Sequence, residues 1–353
     1  MYHTIATGST ESYFIDTDGC VWRTGKNLLE SSNVTEPIKV KILQDVVSVA
    51  VSSSPLFLDA NGRLWGFVVS TNNVEILFPD FPEIKSMAAG MKHNLLLDVE
   101  GNVWAYGRNQ VAQLGLGDKV FRMQPCKIGN LPEIEAIATG WGHSLFLDTT
   151  GAVWSAGINV DGEAGVIAPR VKTQLSEIPN LPRIRSIVAG HHHSLFLDTD
   201  NCVWSCGRNT AGELGYSDTQ SGFVPSKIQT LPEIDSISAG YFTSYFIDRS
   251  ANVFVCGSNT NYGQLGTGDY MDVLSPTMVP SLKSIDQISG NCHTLFLNTE
   301  GEVFSCGSES CGKLGLGENR SSLHTPTKIL TLPKLRSRLA ANMYNKPKSA
   351  RKI

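Results

Sequence analysis

Three consecutive histidines, His191-His192-His193, form the densest group of titratable nitrogens in a chain of 353 residues. Imidazole can ligate a metal, act as a general base or serve as a buried hydrogen-bonding group, and spacing has to choose among these. Adjacent side chains diverge and rarely converge on one ion, which argues against a metal held by this triplet. His193 also belongs to a series, since His93, His143, His193 and His293 stand at multiples of 50 residues from one another. A residue repeated at one position serves every copy alike, and each of the four is read as structural, tying its turn by a hydrogen bond. His191 and His192 are additional to that series. A nucleophilic site on histidine lacks support, because no recognisable motif sets a Ser or Cys as its partner.

The eight cysteines do not look like a disulfide framework. Cys206, Cys256 and Cys306 lie 50 residues apart at one position, where other copies carry Thr24, Tyr106 or Ala156. A position that accepts these types is a packing position, and free Cys behaves there as a small hydrophobe. No Cys-x-x-Cys pair occurs; the closest spacings are Cys202-x-x-x-Cys206 and Cys306-x-x-x-x-Cys311, so zinc is not expected. Glycine-rich loops are a third chemical cue: Gln113-Leu114-Gly115-Leu116-Gly117-Asp118, Gly263-Gln264-Leu265-Gly266-Thr267-Gly268-Asp269 and Gly312-Lys313-Leu314-Gly315-Leu316-Gly317-Glu318. Such loops can cradle phosphate, but no Gly-Lys-Ser/Thr follows and no helix is expected to begin there. Their recurrence points to turns and packing. The sequence therefore predicts no catalytic residue, no metal and no cofactor.

The elements that carry these residues are repeats. Gly90, Gly140, Gly190, Gly240 and Gly290 recur every 50 residues, each opening a near-copy of one phrase. Residues 138–157 read ATGWGHSLFLDTTGAVWSAG and residues 188–207 read VAGHHHSLFLDTDNCVWSCG; further copies lie at 6–25, 88–107, 238–257 and 289–307. A degenerate copy at 50–67 has Val51 where Gly is expected, and makes seven. The run Ser144-Leu145-Phe146-Leu147 has strand length and is read as buried on both faces. It ends in an Asp-x-x-Gly turn, in which Asp bonds its own backbone two residues on and Gly supplies a positive φ. The next strand brings one aromatic per copy: Trp22, Trp65, Trp104, Trp154, Trp204, Phe254 and Phe304. These seven are read as structural, filling the wedge between neighbouring sheets. Leu131-Pro132-Glu133-Ile134 and its equivalents lead into each next copy, with Pro where a missing donor costs nothing.

Copies of this length with four strand-like segments each match propeller blades, which cannot bury both faces alone. The phrase Gly-x-x-His-Ser-Leu-x-Leu-Asp-x-x-Gly-x-Val-Trp, followed by the Gly-Gln-Leu-Gly loop, closely resembles the RCC1-type repeat over residues 1 to about 330. The resemblance implies an all-β, seven-bladed β-propeller spanning 1–337, with repeats near 1–45, 46–84, 85–134, 135–184, 185–234, 235–284 and 285–337, then a basic tail at 338–353. The chain starts inside a strand, and residues 332–341 again resemble a repeat opening, so one end is expected to complete the blade begun at the other.

Positions that vary between copies are free to bind. The variable pair between Gly and His reads Ser9-Thr10, Ser52-Ser53, Met91-Lys92, Trp141-Gly142, His191-His192, Tyr241-Phe242 and Asn291-Cys292. Met91, Lys92, Trp141, His191, His192, Tyr241, Phe242 and Asn291 are thus the candidate partner-binding residues, aromatic-rich as interface anchors are. RCC1-like propellers include a guanine-nucleotide exchange factor for the GTPase Ran, a plant ultraviolet-B photoreceptor and parts of large ubiquitin ligases. Acidic loop residues contribute to exchange, and none of these fourteen is Asp or Glu. The photoreceptor's Gly-Trp-Arg-His loop is matched only by Trp141, without its Arg. The leading expectation is a non-catalytic protein-interaction module, monomeric, whose partner is a protein such as a small GTPase or ubiquitin machinery; exchange activity on a Ran-like GTPase is the alternative. A chromatin- or ubiquitin-ligase-associated adaptor is the lesser one.

Charge bears on the remaining partners. The formal net charge is −4, with hydrophobic residues at 41% and charged residues at 18%, which suits a globular chain. Residues 319–353 hold nine Lys or Arg and no acid, a segment able to attract nucleic acid or another anionic surface. The rest has 20 basic against 33 acidic residues, a net of −13, which does not favour DNA. No apolar run is long enough for a membrane span, and MYHTIATGST lacks the features of a secretion signal, so a cytoplasmic location, or a nuclear one, is expected.

Overall fold

A run such as Ser144-Leu145-Phe146-Leu147 offers solvent no polar side, so it is stable only when covered on both faces. In the computed structural model every such run is covered the same way. Each repeat folds into a four-stranded antiparallel sheet, and seven of these sheets surround a central channel. The structure describes residues 3–26, 33–51, 54–68, 73–167, 170–317 and 321–337. The blades cover 5–39, 46–76, 84–127, 134–177, 184–227, 234–278 and 285–328. This is the all-β, seven-bladed propeller that the repeats predict. The basic tail at 338–353 and the loop residues Ser52 and Ser53 lie outside the described residues.

Blade four shows the plan. Ile134–Thr139 is innermost, followed outward by His143–Asp148, Val153–Ile158 and Val171–Glu177. Every residue of the second strand is buried, whereas the outer strand is mostly half-buried or exposed. His143 stands opposite Gly157, and Phe146 opposite Trp154. Gly157 has a φ of +105°, and a Cβ there would lie 2.3 Å from the Gly142 carbonyl oxygen, so only glycine fits beside the loop. Because successive strands reverse direction, the Gly-x-x-His loops and the glycine-rich loops share one face of the ring. The Asp-x-x-Gly turns and Leu-Pro links occupy the other face.

That second face is pinned by one carboxylate in each of the first six blades. Asp148 Oδ1 accepts from the amides of Thr150 at 2.9 Å and Ala152 at 3.0 Å, while Oδ2 accepts from Trp154 Nε1 at 3.1 Å. Asp16, Asp59, Asp98 and Asp198 hold Trp22, Trp65, Trp104 and Trp204 in the same way. Blades six and seven, with Phe254 and Phe304, have no indole to bind; there Asp248 accepts from Asn252, and Asn298 takes the place of Asp.

The core is divided into seven clusters, one in each seam between blades. In the seam between blades three and four, Leu95, Leu97, Val103 and Ala105 meet Phe146 and Ala156, with Trp154 packed against them. Phe146 is wholly buried, and Trp154 is half-buried. Trp22, Trp65, Trp104, Trp204, Phe254 and Phe304 stand half-buried in the other six seams. Cys206, Cys256 and Cys306 are buried in three of these clusters, and burial pushes their thiols up. All eight cysteines are free.

The ring closes differently from the expectation that one terminus completes a blade begun by the other. Blade one has its own four strands, and so has blade seven. The segment after blade seven runs beside blade one instead: Leu335 makes a single antiparallel bridge to Asp16, and Leu335 packs with Ile5, Phe14 and Leu295. Blades one and seven each consist of consecutive strands, so side-chain packing, hydrogen bonds such as Thr4 to Gln287 and Ser12 to His293, and one bridge complete the circle.

Candidate interaction face

The Gly-x-x-His loops surround one mouth of the channel. Gly140 is required for space: a Cβ there would lie 2.2 Å from His143 Cε1 and 2.5 Å from the Gly190 carbonyl oxygen. The histidine so admitted reaches across the seam. His143 Nε2 lies 3.0 Å from Ser194 Oγ in the next blade, and Ser194 donates in turn to the Glu163 carbonyl at 2.7 Å. His93 meets Ser144, His193 meets Ser244 and His293 meets Ser12 in the same way. All four rings are fully buried, and burial holds His93 and His193 down to about 3 and His143 to about 4, with His293 also lowered. Blade six has Thr243 at this position; there Tyr245 crosses the seam to Thr294 at 2.7 Å.

With the loops fixed, their variable residues line the lip. Trp141, His191 and Tyr241 lie side by side at the channel mouth, together with Met91 and Asn291. The His191 ring stacks on Tyr241 with centroids 3.8 Å apart and planes inclined by 31°. Trp141 lies 5.6 Å from His191, His192 lies 4.5 Å from it, and Tyr241 lies 4.4 Å from Phe242. The Arg208 guanidinium stands 4.6 Å over the Phe242 ring, a cation–π contact. Backbone bonds tie neighbouring loops together, from Trp141 N to His191 O and from His191 N to Gly240 O. Burial and the neighbouring histidines hold His191 down to about 3, so it presents a neutral ring.

The structure thus brings Trp141, His191, His192, Tyr241 and Phe242 into one arc. Met91 and Lys92 are exposed and share a small cleft with Arg108 and Trp141 at one end. Asn291, at the other end, is half-buried and accepts through Oδ1 from the Cys292 amide.

Two groups on this face escape the sequence reading. One is a buried polar column in the glycine-rich loops: Gln113, Glu163, Glu213, Gln264 and Lys313. Burial raises Glu213, which has Arg208 no closer than 3.9 Å. Burial is the strongest influence on Glu163 and opposes its ionisation, but the hydrogen bond from His192, the charge of His143 and the loop amides together hold the carboxyl below its usual range. Asp161, Glu163 and His192 are also the group able to hold a metal among the described residues. The other group is an apolar outer rim, with Phe121 and Met123 on blade three, Phe223 on blade five and Met271 on blade six. Met123 is 79% exposed and Met271 71%. Aligning the repeats column by column gives the signal for the polar group, whose members occupy equivalent places after the third strand. No helix among the described residues is long and apolar enough to cross a membrane.

Comparison with known proteins fits this geometry. Two family models of the regulator of chromosome condensation (RCC1) repeat match, one at 100–147 and 200–247, the other at 134–163, 184–213, 234–264 and 289–313. The regulator of chromosome condensation of Xenopus laevis is 37% identical over 83 residues, which are 22% of this chain and 20% of that protein. The match therefore spans about one fifth of that relative's length. Yeast RCC1 (Prp20), solved with Kap60 bound, agrees with a TM-score of 0.77 at 20% identity, over 87% of this chain and 82% of that one. Prp20p of Saccharomyces cerevisiae, whose structure was described with its binding to Gsp1p and histones, agrees with a TM-score of 0.71 at 24% identity, over 81% and 80%. At these identities the solved structures establish the fold, and the repeat matches establish the kind of blade. The chain belongs to the RCC1-repeat family of seven-bladed β-propellers.

Proposed function

We propose that this propeller is a non-catalytic interaction module that takes a protein partner on the face bearing the Gly-x-x-His loops. The observation that carries this reading is the unbroken run of ring contacts from Trp141 through His191 and Tyr241 to Phe242 along the channel lip. Rigid aromatic anchors supply large contact area at low entropic cost. The backbone bonds between loops support the same conclusion, because the arc needs no ordering on binding. The apolar rim extends the face outward, so a partner could cover both the lip and blades three to six.

A small GTPase or a histone is the partner class supported by the reported binding of Prp20p to Gsp1p and histones. Guanine-nucleotide exchange on a small GTPase is therefore the second reading. Asp161 favours it by setting a half-buried carboxylate beside His192, although none of the fourteen variable Gly-x-x-His positions is itself acidic. A nuclear setting accompanies a chromatin partner, and a cytoplasmic one suits other partners.

The test is affinity capture from lysate with the wild-type ring and a Trp141→Ala/His191→Ala/Tyr241→Ala/Phe242→Ala variant of matched thermal stability. The expected result is a protein partner retained by the wild type and depleted at least about tenfold by the variant, as loss of a hot-spot cluster predicts. Equal capture by both would overturn the arc as the docking face. If the partner is a GTPase, release of a fluorescent guanine nucleotide in the presence of the ring decides between binding and exchange.

A further inference from the structure

One residue of each of the five glycine-rich loops occupies an equivalent buried slot, but its charge is balanced differently from seam to seam. Gln113 and Gln264 are neutral amides. Lys313 donates from Nζ to the Ser9 carbonyl at 2.9 Å. Glu213 has the Arg208 guanidinium at 3.9 Å, and Arg208 rests on Phe242. Glu163 is as fully buried as Glu213, yet the residue equivalent to Arg208 in its blade is Ile158. The cation is missing at that seam. Two further residue types change with it, and both changes introduce ligating atoms: Asp161 stands where blade five has Ala211, and His192 stands where the next loop has Phe242.

These three side chains converge. Asp161, Glu163 and His192 each offer one ligand atom, all within 4.8 Å of one another. His192 Nδ1 lies 3.4 Å from Glu163 Oε1. The amide of Asp161 donates to Glu163 Oε2 at 2.8 Å, an anchor that turns the other oxygen toward His192. A buried carboxylate costs several kcal/mol unless it is compensated. His192 can balance Glu163 only in its protonated form, and among the described residues no ion pair then answers Asp161.

We propose that Asp161, Glu163 and His192 bind one divalent cation of the zinc class at the seam between blades four and five. Ligand atoms at 2.0–2.2 Å from zinc stand about 3.2–3.6 Å from one another, so the Glu163–His192 pair already has coordinating spacing. Asp161 is half-buried and closes the set with a small side-chain movement. The ion's two charges balance the two carboxylates, and an imidazole with carboxylates selects a transition metal over magnesium or calcium. Three protein ligands leave a fourth position open. Since His192 lies 5.2 Å from Trp141 and 4.5 Å from His191, that position borders the aromatic arc, where water or a partner's side chain can complete it.

The experiment is calorimetric titration of the intact chain with zinc chloride, with cobalt(II) absorption as a second readout. The variants are Asp161→Ala and His192→Phe, which install the residues found at the next seam, and Glu163→Gln, which installs the type at Gln113 and Gln264. Such residues are already accommodated in equivalent slots, and a thermal melt of each metal-free variant checks that it is folded. The expected result is one zinc per wild-type chain, visible d–d bands with cobalt, and at least a roughly tenfold weaker affinity in each variant. A wild-type chain that takes up no zinc at millimolar concentration overturns the site. Zinc bound equally well by the three variants also overturns it, because the ion is then held elsewhere, for instance by cysteines.

Discussion

Burial decides which proton an imidazole keeps. Ser194 commits its hydroxyl proton to the Glu163 carbonyl, so His143 donates to Ser194 through Nε2 and leaves Nδ1 bare. A second proton would place charge in a closed slot, which is why burial holds His143 down to about 4 and His93 and His193 to about 3. Unfolded histidine titrates near 6.5, so below about pH 6.5 the unfolded chain binds protons that the folded chain refuses. Stability is then complete above that pH and falls as pH drops, by roughly 1.4 kcal/mol per pH unit for each such histidine. Asp98 and Asp148 add to the loss further down: burial opposes their ionisation, but hydrogen bonds from the turn keep them below the usual range, so their contribution disappears as pH falls through it. Urea unfolding should show a steep decline from pH 7 to 5, with a slope reduced by one histidine's share in His143→Asn. A flat profile over that interval would contradict the relay. At this scale the sequence is half legible. Recurrence marks the four histidines, but the partners of three sit 51 residues on in the next blade and that of His293 lies 281 residues back, where no local pattern points.

The elements are more legible where their forces are local. The Asp-x-x-Gly turn can be read from sequence because Asp148 bonds amides only two and four residues away. The division of labour in the seam is not legible, since it depends on how two sheets meet. Sequence assigns the wedge to the third-strand aromatics, whereas in the structure each shares it with the second strand, whose Phe146, Phe196, Phe246 and Phe296 are wholly buried. Trp204 keeps one edge outward and gives its Nε1 to Asp198 at 2.9 Å. Trp204→Phe should therefore cost only about 1 kcal/mol, the worth of one hydrogen bond, because blades six and seven already work with Phe254 and Phe304. Phe196→Ala removes a fully enclosed ring and should cost about 3–5 kcal/mol. Denaturant midpoints of the two variants measure the difference. Equal losses would mean that the indole, not the phenyl ring, carries the seam. The buried polar column and the apolar rim stay hidden for a related reason: the glycine-rich loop of one blade packs on the outer strand of the next, as where Gly212 meets Leu274.

At the scale of the whole ring, counting repeats gives seven blades but says nothing of how the circle shuts. Residues 332–341 imitate a repeat opening because Leu332 and Leu335 must cover the last seam, and the same apolar types serve a strand or a packed tail. The closure that results has a kinetic consequence. Ser12 joins His293 across 281 residues, while Ser194 joins His143 across 51. Loop-closure entropy grows as 1.5RT times the logarithm of length, so the closing contact costs about 1.5 kcal/mol more to form than its counterpart. Contacts of such separation form late, after neighbouring blades have docked. Ser12→Ala and Ser194→Ala each strand a buried imidazole N–H, and both should destabilise by about 1–3 kcal/mol. Their kinetic signatures should differ: Ser12→Ala should appear mainly as faster unfolding with refolding unchanged, while Ser194→Ala should also slow refolding. Stopped-flow chevrons of the two variants decide the matter. Equal slowing of refolding by both would mean that the ends meet early, and that the circle nucleates at its own seam.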